Sequence, residues 1–416
     1  MINIKTQKSK YNYLILGYSA QGLSYLAVIL IPSLFFSQSQ IGALGICLSL
    51  QYILSQFFGM GLHFSALYYK SLDVNSSEKL FCSVTSNIIV TLVSSSLGLL
   101  IFLLSPYLLN YYKYFDLEKF KTLLIISSVV FAINKVFLSE INAVKHYSLI
   151  GKLYLIKSFL FLTIIFSLIS RNISFDQYVC LQLLLPEFFI YLICLFFVIK
   201  NYTVNKEIFF KKYFKRDLLF GLKSFWGTIF YEASTKVDLL LLGVFVSPAK
   251  VGIFTIISMI SDLFLNICTV LRTIVNPEIT ENFLKKKESF NHFIQMKSIK
   301  NYIILIPILA VFVILYFISV TFIHQFATYS DGFVPLLILC LFLAATSGYI
   351  PLMLTFGQIG KPNFQSLNFL ILFVFNVMFN WLLIPKYELI GAAFATGLSY
   401  VFYILFFRKA LSFVTK

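Results

Sequence analysis

The sequence predicts an all-α protein that crosses a membrane many times, with twelve transmembrane helices in two pseudo-symmetric lobes of six. Of the 416 residues, 59% are hydrophobic and only 12% are charged, and the mean hydropathy is +0.88. A soluble domain carries about 25% charged residues, so this chain cannot cover its own surface with polar groups. Its apolar residues instead form long segments, which divide into two similar sets.

Each apolar segment is long enough to cross a bilayer as a helix. A helical span needs about 20 apolar residues. Backbone groups in hydrocarbon must be hydrogen-bonded internally, and no barrel-like alternation of residues is present, so the segments are predicted to be helices. The predicted spans cover residues 12–36, 40–67, 80–104, 120–143, 149–170, 177–199, 219–246, 251–276, 300–323, 333–356, 364–384 and 389–407.

The distribution of Lys and Arg predicts that both termini are cytoplasmic. With a cytoplasmic N-terminus, the cytoplasmic segments carry 23 of the 33 basic residues and the external segments carry six. Basic residues concentrate in the cytoplasmic loops of membrane proteins. The other four lie inside predicted spans, at Lys135, Lys157, Lys236 and Arg272.

Two features predict that the twelve spans form two halves. The basic link between Lys200 and Lys223 lies almost at the centre of the chain. Ser37–Gly42 follows the first span and Ser247–Gly252 follows the seventh, at an offset of 210 residues. Both matches begin an even-numbered span on the same side, so the repeat is parallel. The predicted domains are an N-terminal lobe (1–200), a basic cytoplasmic linker (201–218) and a C-terminal lobe (219–416).

The sequence lacks the short motifs of several enzyme classes. It contains no G-x-S-x-G, no H-E-x-x-H and no P-loop lysine. The four His are far apart, and the six Cys are scattered singly without metal-ligand spacing. We therefore predict a protein that is not an enzyme and that uses no cofactor or metal. The net charge of +16 reflects membrane topology, and no nucleic-acid partner is expected.

Charged side chains at membrane depth are costly and usually face a bundle interior or a water-filled cavity. At a rise of 1.5 Å per residue, Lys236 and Asp262 both lie roughly 20 Å below the external turn near Pro248. Lys236 could pair with Asp262 or with Glu232, one helical turn away. Alternatively, Lys236 contributes to a substrate site.

The same count about the turn near Ser148 places Glu140 and Lys157 at one level near the cytoplasmic side. We predict that these two residues form a structural ion pair.

Lys135 and Arg272 have no such local partner in the sequence. Either residue could line a cavity, and Arg272 could alternatively extend its head group to the interface. Together with Lys236 they predict a chamber with surplus positive charge, which suits an anionic ligand such as a phosphate or diphosphate.

Three acids are candidates for ion coupling or a proton relay: Glu187, Asp238 and Asp262. Glu187 directly follows Pro186 near mid-membrane, where proton relays use such residues. A hydrogen-bonded acid without a transport role is the alternative interpretation of Glu187.

The C-terminal spans carry a more specific pattern. Residues 376–400 read NVMFNWLLIPKYELIGAAFATGLSY, which resembles the N-x-x-L-N-x-x-LIP pattern, continuing to GAA-x-AT-x-x-S-Y, of Wzx-type polysaccharide flippases in the MATE/MOP exporter superfamily. The D-x-x-x-x-G of Asp238 and Gly243, and Val251–Phe254 after it, also fit that family. The chain departs from the pattern at Glu388, where the family usually has Gly.

This resemblance implies two six-helix lobes around a central cavity. It implies a flippase that moves undecaprenyl-diphosphate-linked oligosaccharide, such as an O-antigen repeat unit, from the cytoplasmic to the external leaflet by alternating access. The implied location is the bacterial cytoplasmic (inner) membrane. Implied partners are membrane lipids, a polysaccharide polymerase and a chain-length regulator.

Two alternatives remain at this point. A cation-coupled exporter of small organic molecules would have the same fold. A membrane polymerase acting on the same lipid-linked sugar is less favoured, because no external loop is predicted to exceed about 16 residues, which leaves little room for an external catalytic domain.

Overall fold

The computed structural model describes residues 4–66, 91–104, 112, 115–143, 146–171, 173–201, 210–285 and 289–415. These residues form α-helices, 3-10 helices and turns and contain no β-strand. The first part of the predicted span 80–104, the cysteine at position 82 and residues 202–209 of the basic linker lie outside the described residues.

The main α-helices are numbered in chain order. They are α1 (Ile4–Leu30), α2 (Gln38–Gly59), α3 (Thr91–Leu104), α4 (Lys121–Ala143), α5 (Tyr147–Arg171), α6 (Phe175–Asn201), α7 (Phe210–Ser234), α8 (Val237–Phe245), α9 (Pro248–Lys285), α10 (Phe290–Phe322), α11 (Phe333–Thr346), α12 (Thr355–Gln358) and α13 (Pro362–Thr415). Short 3-10 helices cover Pro32–Leu34, Leu117–Phe120, His324–Gly332 and Ile350–Leu352.

The protein is an all-α, multi-pass membrane protein, as predicted. Within the described residues, nine helices are long and apolar enough to cross a membrane. Their lipid-side surfaces carry many exposed large apolar side chains, for example Phe166, Phe196 and Ile303, which a hydrocarbon environment tolerates. The total of twelve spans stays a prediction.

The last long helix, α13, folds back on itself at Glu388. This residue has φ 50° and ψ −120°, a backbone conformation that glycine adopts at the least cost. The rings of Phe375 and Phe402, on opposite sides of the break, lie 4.9 Å apart between centroids. The two arms of α13 are therefore antiparallel, as expected from the separate predicted spans 364–384 and 389–407.

By its internal contacts the chain forms two compact units. Unit 1 comprises the described residues of Met1–Pro32 and Ile46–Ile229. Unit 2 comprises those of Ser33–Gly45 and Phe230–Lys416. The lobe and linker boundaries given above stay a prediction.

In unit 1, α1 and α5 pack closely through two glycines. A Cβ atom on Gly17 would lie 2.5 Å from the carbonyl oxygen of Gly151, and one on Gly151 would lie 2.1 Å from that of Tyr13. Small residues allow such close helix contacts in membranes. One apolar cluster of unit 1 contains Phe58, Leu62, Ala66, Ala132, Ile133, Val136, Phe137, Ile141, Ile150, Leu153, Ile190 and Cys194.

In unit 2, two predicted spans are interrupted. The span 219–246 is broken between α7 and α8, and the span 333–356 is helical only as far as Thr346 before it becomes irregular. Irregular backbone at membrane depth must be buried in protein or line a cavity. Here the carbonyl of Gly348 accepts a bond of 2.9 Å from Asn301 Nδ2, and the carbonyl of Met353 accepts one of 2.7 Å from Gln365 Nε2.

Candidate functional site

Unit 1 contains a buried ion pair between α5 and α6. The ammonium group of Lys157 pairs with Oε1 of Glu187, and both side chains are about 5–7% exposed. Asn134 on α4 donates from Nδ2 to Oε2 and to the backbone carbonyl of Glu187, both at 2.8 Å. Both carboxylate oxygens of Glu187 therefore have donors, as a buried charge requires.

This arrangement corrects the predicted pairing of Lys157. The sequence placed Glu140 level with Lys157 across the turn between α4 and α5, yet the lysine extends to Glu187 on α6. Glu140 is itself buried in α4, with 2% of its surface exposed. Lys157 therefore pairs with a carboxylate of α6 that the depth count about this turn did not consider, and the role of Glu140 stays a prediction.

Lys135 lies in an aromatic setting on α4. Its Nζ is 4.5 Å from the ring centroid of Phe131 and 4.8 Å from that of Tyr52. It also donates to Oγ of Ser55 over 2.9 Å. Ring faces and a hydroxyl both stabilise an ammonium group, and a role of Lys135 in substrate binding stays a prediction.

In unit 2, Lys236 and Asp262 form an ion pair between the start of α8 and α9. Asp262 is one of the two partners that the sequence allowed for Lys236, the other being Glu232. The side chains are 12% and 26% exposed respectively, so the pair is only partly removed from solvent. Whether either group also takes part in binding or coupling stays a prediction.

Asp238 lies in the first turn of α8, directly after the break in the chain. Its Oδ1 accepts a bond of 2.7 Å from the backbone N–H of Leu239, and its Oδ2 accepts one of 3.3 Å from Thr396 Oγ1. The carboxylate is 5% exposed. The break itself is stabilised by Asn376, whose Nδ2 donates to the carbonyl of Ser234 over 2.6 Å.

The side-chain amide of Asn380 provides a further oxygen at the depth of Thr396, the residue that donates to Asp238. Asn380 and Thr396 are each eight residues from Glu388, so the antiparallel arms of α13 place them at the same depth. Asn380 is fully buried and donates to Asn376, and its Oδ1 has no hydrogen-bond partner among the described residues. A carboxylate, a hydroxyl and a buried amide oxygen thus lie in one layer beside a broken helix.

Arg272 on α9 is the remaining predicted cation, and it is only 7% exposed. Its Nη2 donates weakly to the hydroxyl of Tyr231 at 3.5 Å and to the carbonyl of Ile350 at 3.4 Å. Its Nε is buried without a hydrogen-bond partner, and no described carboxylate forms an ion pair with it. The guanidinium of Arg272 therefore has N–H groups that could donate hydrogen bonds to an anion.

Sequence reasoning missed the neutral members of these clusters. Asn134, Asn376 and Asn380 are amides inside apolar helices, a setting in which polar side chains are conserved for function or for packing. The four-residue spacing of Asn376 and Asn380 places them on one helix face and was the available signal. Among the described residues no group of three or more His, Cys, Asp or Glu side chains could hold a metal ion.

The sequence has no significant match to a protein-family model or to a curated protein. Solved structures give clear similarities. A multidrug resistance MATE family transporter of the MOP superfamily, in an outward-facing conformation, matches with a TM-score of 0.66 at 16% identity over 96% of this chain and 94% of that chain. The lipid II flippase MurJ, in an inward closed conformation, matches with a TM-score of 0.70 at 16% identity over 98% and 88%.

A third similar structure is a MOP superfamily transporter from Pyrococcus furiosus, for which a reversed polarity of the binding pocket suggests a different function. It has a TM-score of 0.62 at 14% identity, over 97% of this chain and 95% of that chain. All three similarities extend over nearly the whole chain. The protein therefore has the fold shared by MATE/MOP transporters and the MurJ flippase.

Proposed function

We propose that the protein is a flippase for a lipid-linked oligosaccharide, and that it is not an enzyme. The observation that carries this proposal is Arg272: a buried guanidinium in a membrane-spanning helix, with two weak neutral contacts and an unpaired Nε. A buried charge without a countercharge is costly. An anionic ligand would remove that cost, and a guanidinium matches the geometry of a phosphate.

The substrate that fits best combines a diphosphate with a hydrophobic chain. The diphosphate would bind Arg272 while the hydrophobic chain stays in the surrounding lipid, and binding by Lys135 and Lys236 stays a prediction. Undecaprenyl-diphosphate-linked repeat units of an O-antigen or a similar surface polysaccharide have this chemistry. MurJ, which shares the fold, is a flippase of lipid II, and this supports a substrate of the same general class.

We further propose that the substrate moves from the cytoplasmic to the external leaflet of the bacterial cytoplasmic (inner) membrane by alternating access. The excess of basic residues in the predicted cytoplasmic segments supports cytoplasmic termini. A polysaccharide polymerase and a chain-length regulator are the proposed protein partners, because flipped repeat units must then be polymerised.

The second candidate function is cation-coupled export of small organic molecules, which the multidrug transporters of the same fold favour. A deletion strain discriminates between the two. Loss of a flippase should remove the surface polysaccharide and leave susceptibility to unrelated drugs unchanged. Increased drug susceptibility with normal surface polysaccharide would instead establish the exporter.

We propose that transport is coupled to a monovalent cation held at Asp238. Small hard cations prefer oxygen ligands, and transporters bind coupling ions at broken helices. Asp238, Thr396 and the unpaired Oδ1 of Asn380 supply such oxygens beside the break before α8. Asp262 is a weaker candidate for this role because Lys236 already neutralises it. Glu187 is disfavoured likewise, since Lys157 pairs with it.

We expect sodium to stabilise the wild-type protein against thermal unfolding, and we expect Asp238→Asn to abolish this stabilisation. A ligand that binds only the folded state adds about 2.7 kcal/mol at 100 times its Kd. The Tm of the purified protein should therefore be higher in NaCl than in choline chloride of equal ionic strength. Asp331→Asn, which neutralises an exposed acid, should keep that difference. An undiminished sodium response in Asp238→Asn would exclude this site.

A further inference from the structure

A second arginine of unit 2 lies near the C-terminal end of α13. The guanidinium of Arg408 sits 5.6 Å from the ring centroid of Tyr349, and its side chain is exposed. Among the described residues no carboxylate forms an ion pair with it. The Lys/Arg distribution predicts that this end of α13 is cytoplasmic.

The aromatic surface beneath Arg408 is held in place by its neighbours. Tyr349 is only 9% exposed, and its ring contacts Tyr302 at 6.4 Å and Phe407 at 6.3 Å between centroids. The Tyr302 ring lies close to Gly348, where a Cβ atom would be 2.3 Å from a ring carbon. The hydroxyl of Tyr302 donates to a backbone carbonyl of α11 over 2.8 Å. The guanidinium thus rests on an ordered ring rather than on a freely rotating side chain.

We propose that Arg408, which lies over the ring of Tyr349, is a capture site for the diphosphate of an isoprenoid-linked substrate at the cytoplasmic end of unit 2. This inference rests on the proposed flippase function. The exposed guanidinium of Arg408 has planar N–H groups that can bind two phosphate oxygens. Tyrosine and arginine are also suited to the level of lipid head groups, where one side is apolar and the other is wet.

The position of Tyr349 connects this site to the buried arginine. Ile350, the next residue, provides the carbonyl that Arg272 contacts at 3.4 Å. The two guanidiniums therefore contact adjacent residues at the start of the 3-10 helix Ile350–Leu352. A diphosphate bound at exposed Arg408 would have only a short path to buried Arg272. Capture at the interface would lower the barrier to burying the anion, because Arg408 would replace part of its hydration shell before the anion reaches Arg272.

An anionic phospholipid carries the same phosphate chemistry. The isoprenoid diphosphate is the better candidate because it has two linked phosphates. One could bind Arg408 first and the other could then bind Arg272. A phosphodiester with one charge offers a single such group. Basic sites between helices at the cytoplasmic side do bind phospholipid head groups, so the experiment must separate the two sources.

The test measures binding of farnesyl diphosphate to the purified full-length protein in detergent. Arg408→Ala should raise the Kd about tenfold or more, because a hydrogen bond to a charged group contributes about 1.5–3 kcal/mol. Arg408→Lys should recover only part of the affinity, since an ammonium cannot bind in the planar bidentate mode. The matched control is Lys409→Ala, which removes the adjacent exposed cation and should change the Kd less than twofold.

Three outcomes would overturn the inference. They are an unchanged Kd in Arg408→Ala, equal losses in Arg408→Ala and Lys409→Ala, or equally strong competition by phosphatidylglycerol. The third result would assign the site to phospholipids. Each variant is used only if its Tm matches that of the wild type; if Arg408→Ala fails this criterion, Tyr349→Leu tests the stacking surface instead and should also weaken binding. Failure here with transport still dependent on Arg272 would leave the proposed flippase function intact.

Discussion

Replacing Arg272 by Ala is expected to reduce transport of a lipid-linked diphosphate at least tenfold and up to a few hundredfold. Charge-assisted hydrogen bonds contribute about 1.5–3 kcal/mol each, and each 1.4 kcal/mol is a factor of ten. The buried guanidinium offers an unpaired Nε and a weakly bonded Nη2 to the substrate. Transport is measured as surface polysaccharide in a deletion strain complemented with each variant, at matched protein levels.

Two variants separate binding of an anion from a structural role of Arg272. Arg272→Lys keeps the charge and loses the planar guanidinium, so an intermediate activity is expected. Tyr231→Phe removes only the hydroxyl that accepts from Nη2 and should leave transport within about twofold, since such a long bond contributes little. Full activity in Arg272→Ala would remove this residue from the mechanism. A loss in Tyr231→Phe as large as in Arg272→Ala would show that Arg272 acts only by holding its neighbours.

The fold class followed from composition and segment length, because burial in lipid leaves the chain few other choices. Depth counting also gave Asp262 as one of two possible partners of Lys236, because residues at equal distances from a short turn lie at the same depth on consecutive helices. The same count about the turn between α5 and α6, near residue 173, places Lys157 about 16 residues before and Glu187 about 14 after it. The pair of Lys157 and Glu187 could therefore also have been predicted from the sequence.

The two interrupted helices of unit 2 depend on contacts between residues far apart in the sequence, which local patterns do not predict. The break between α7 and α8 occurs without Pro or Gly, and it is stabilised by Asn376, which lies 142 residues after the Ser234 carbonyl that it binds. The irregular stretch after α11 carries a local signal in Gly348 and Pro351, but its hydrogen-bond donors come from α9, α10 and α13. Long-range side chains of this kind determine where a helix can end inside a membrane.

The ion pair of Lys157 and Glu187 is expected to be the most sensitive point for stability in unit 1. Lys157→Met should destabilise the protein by about 3–5 kcal/mol, because removing one partner leaves a buried, uncompensated charge. The loss should appear as a lower Tm and a faster thermal inactivation in detergent. Lys152→Met, on an exposed position of the same helix, should stay within about 0.5 kcal/mol of the wild type.

The double variant Lys157→Met/Glu187→Met decides what the pair does. A buried ion pair replaced by apolar residues of similar volume is often neutral or stabilising, so the second substitution should restore most of the stability lost in the first. In the double-mutant cycle, a double variant that loses less stability than the sum of the two single losses would identify a structural pair. Transport should then also return, because a carboxylate held by Lys157 and Asn134 is poorly placed to exchange protons. A stable double variant without transport would instead support Glu187 as a proton relay.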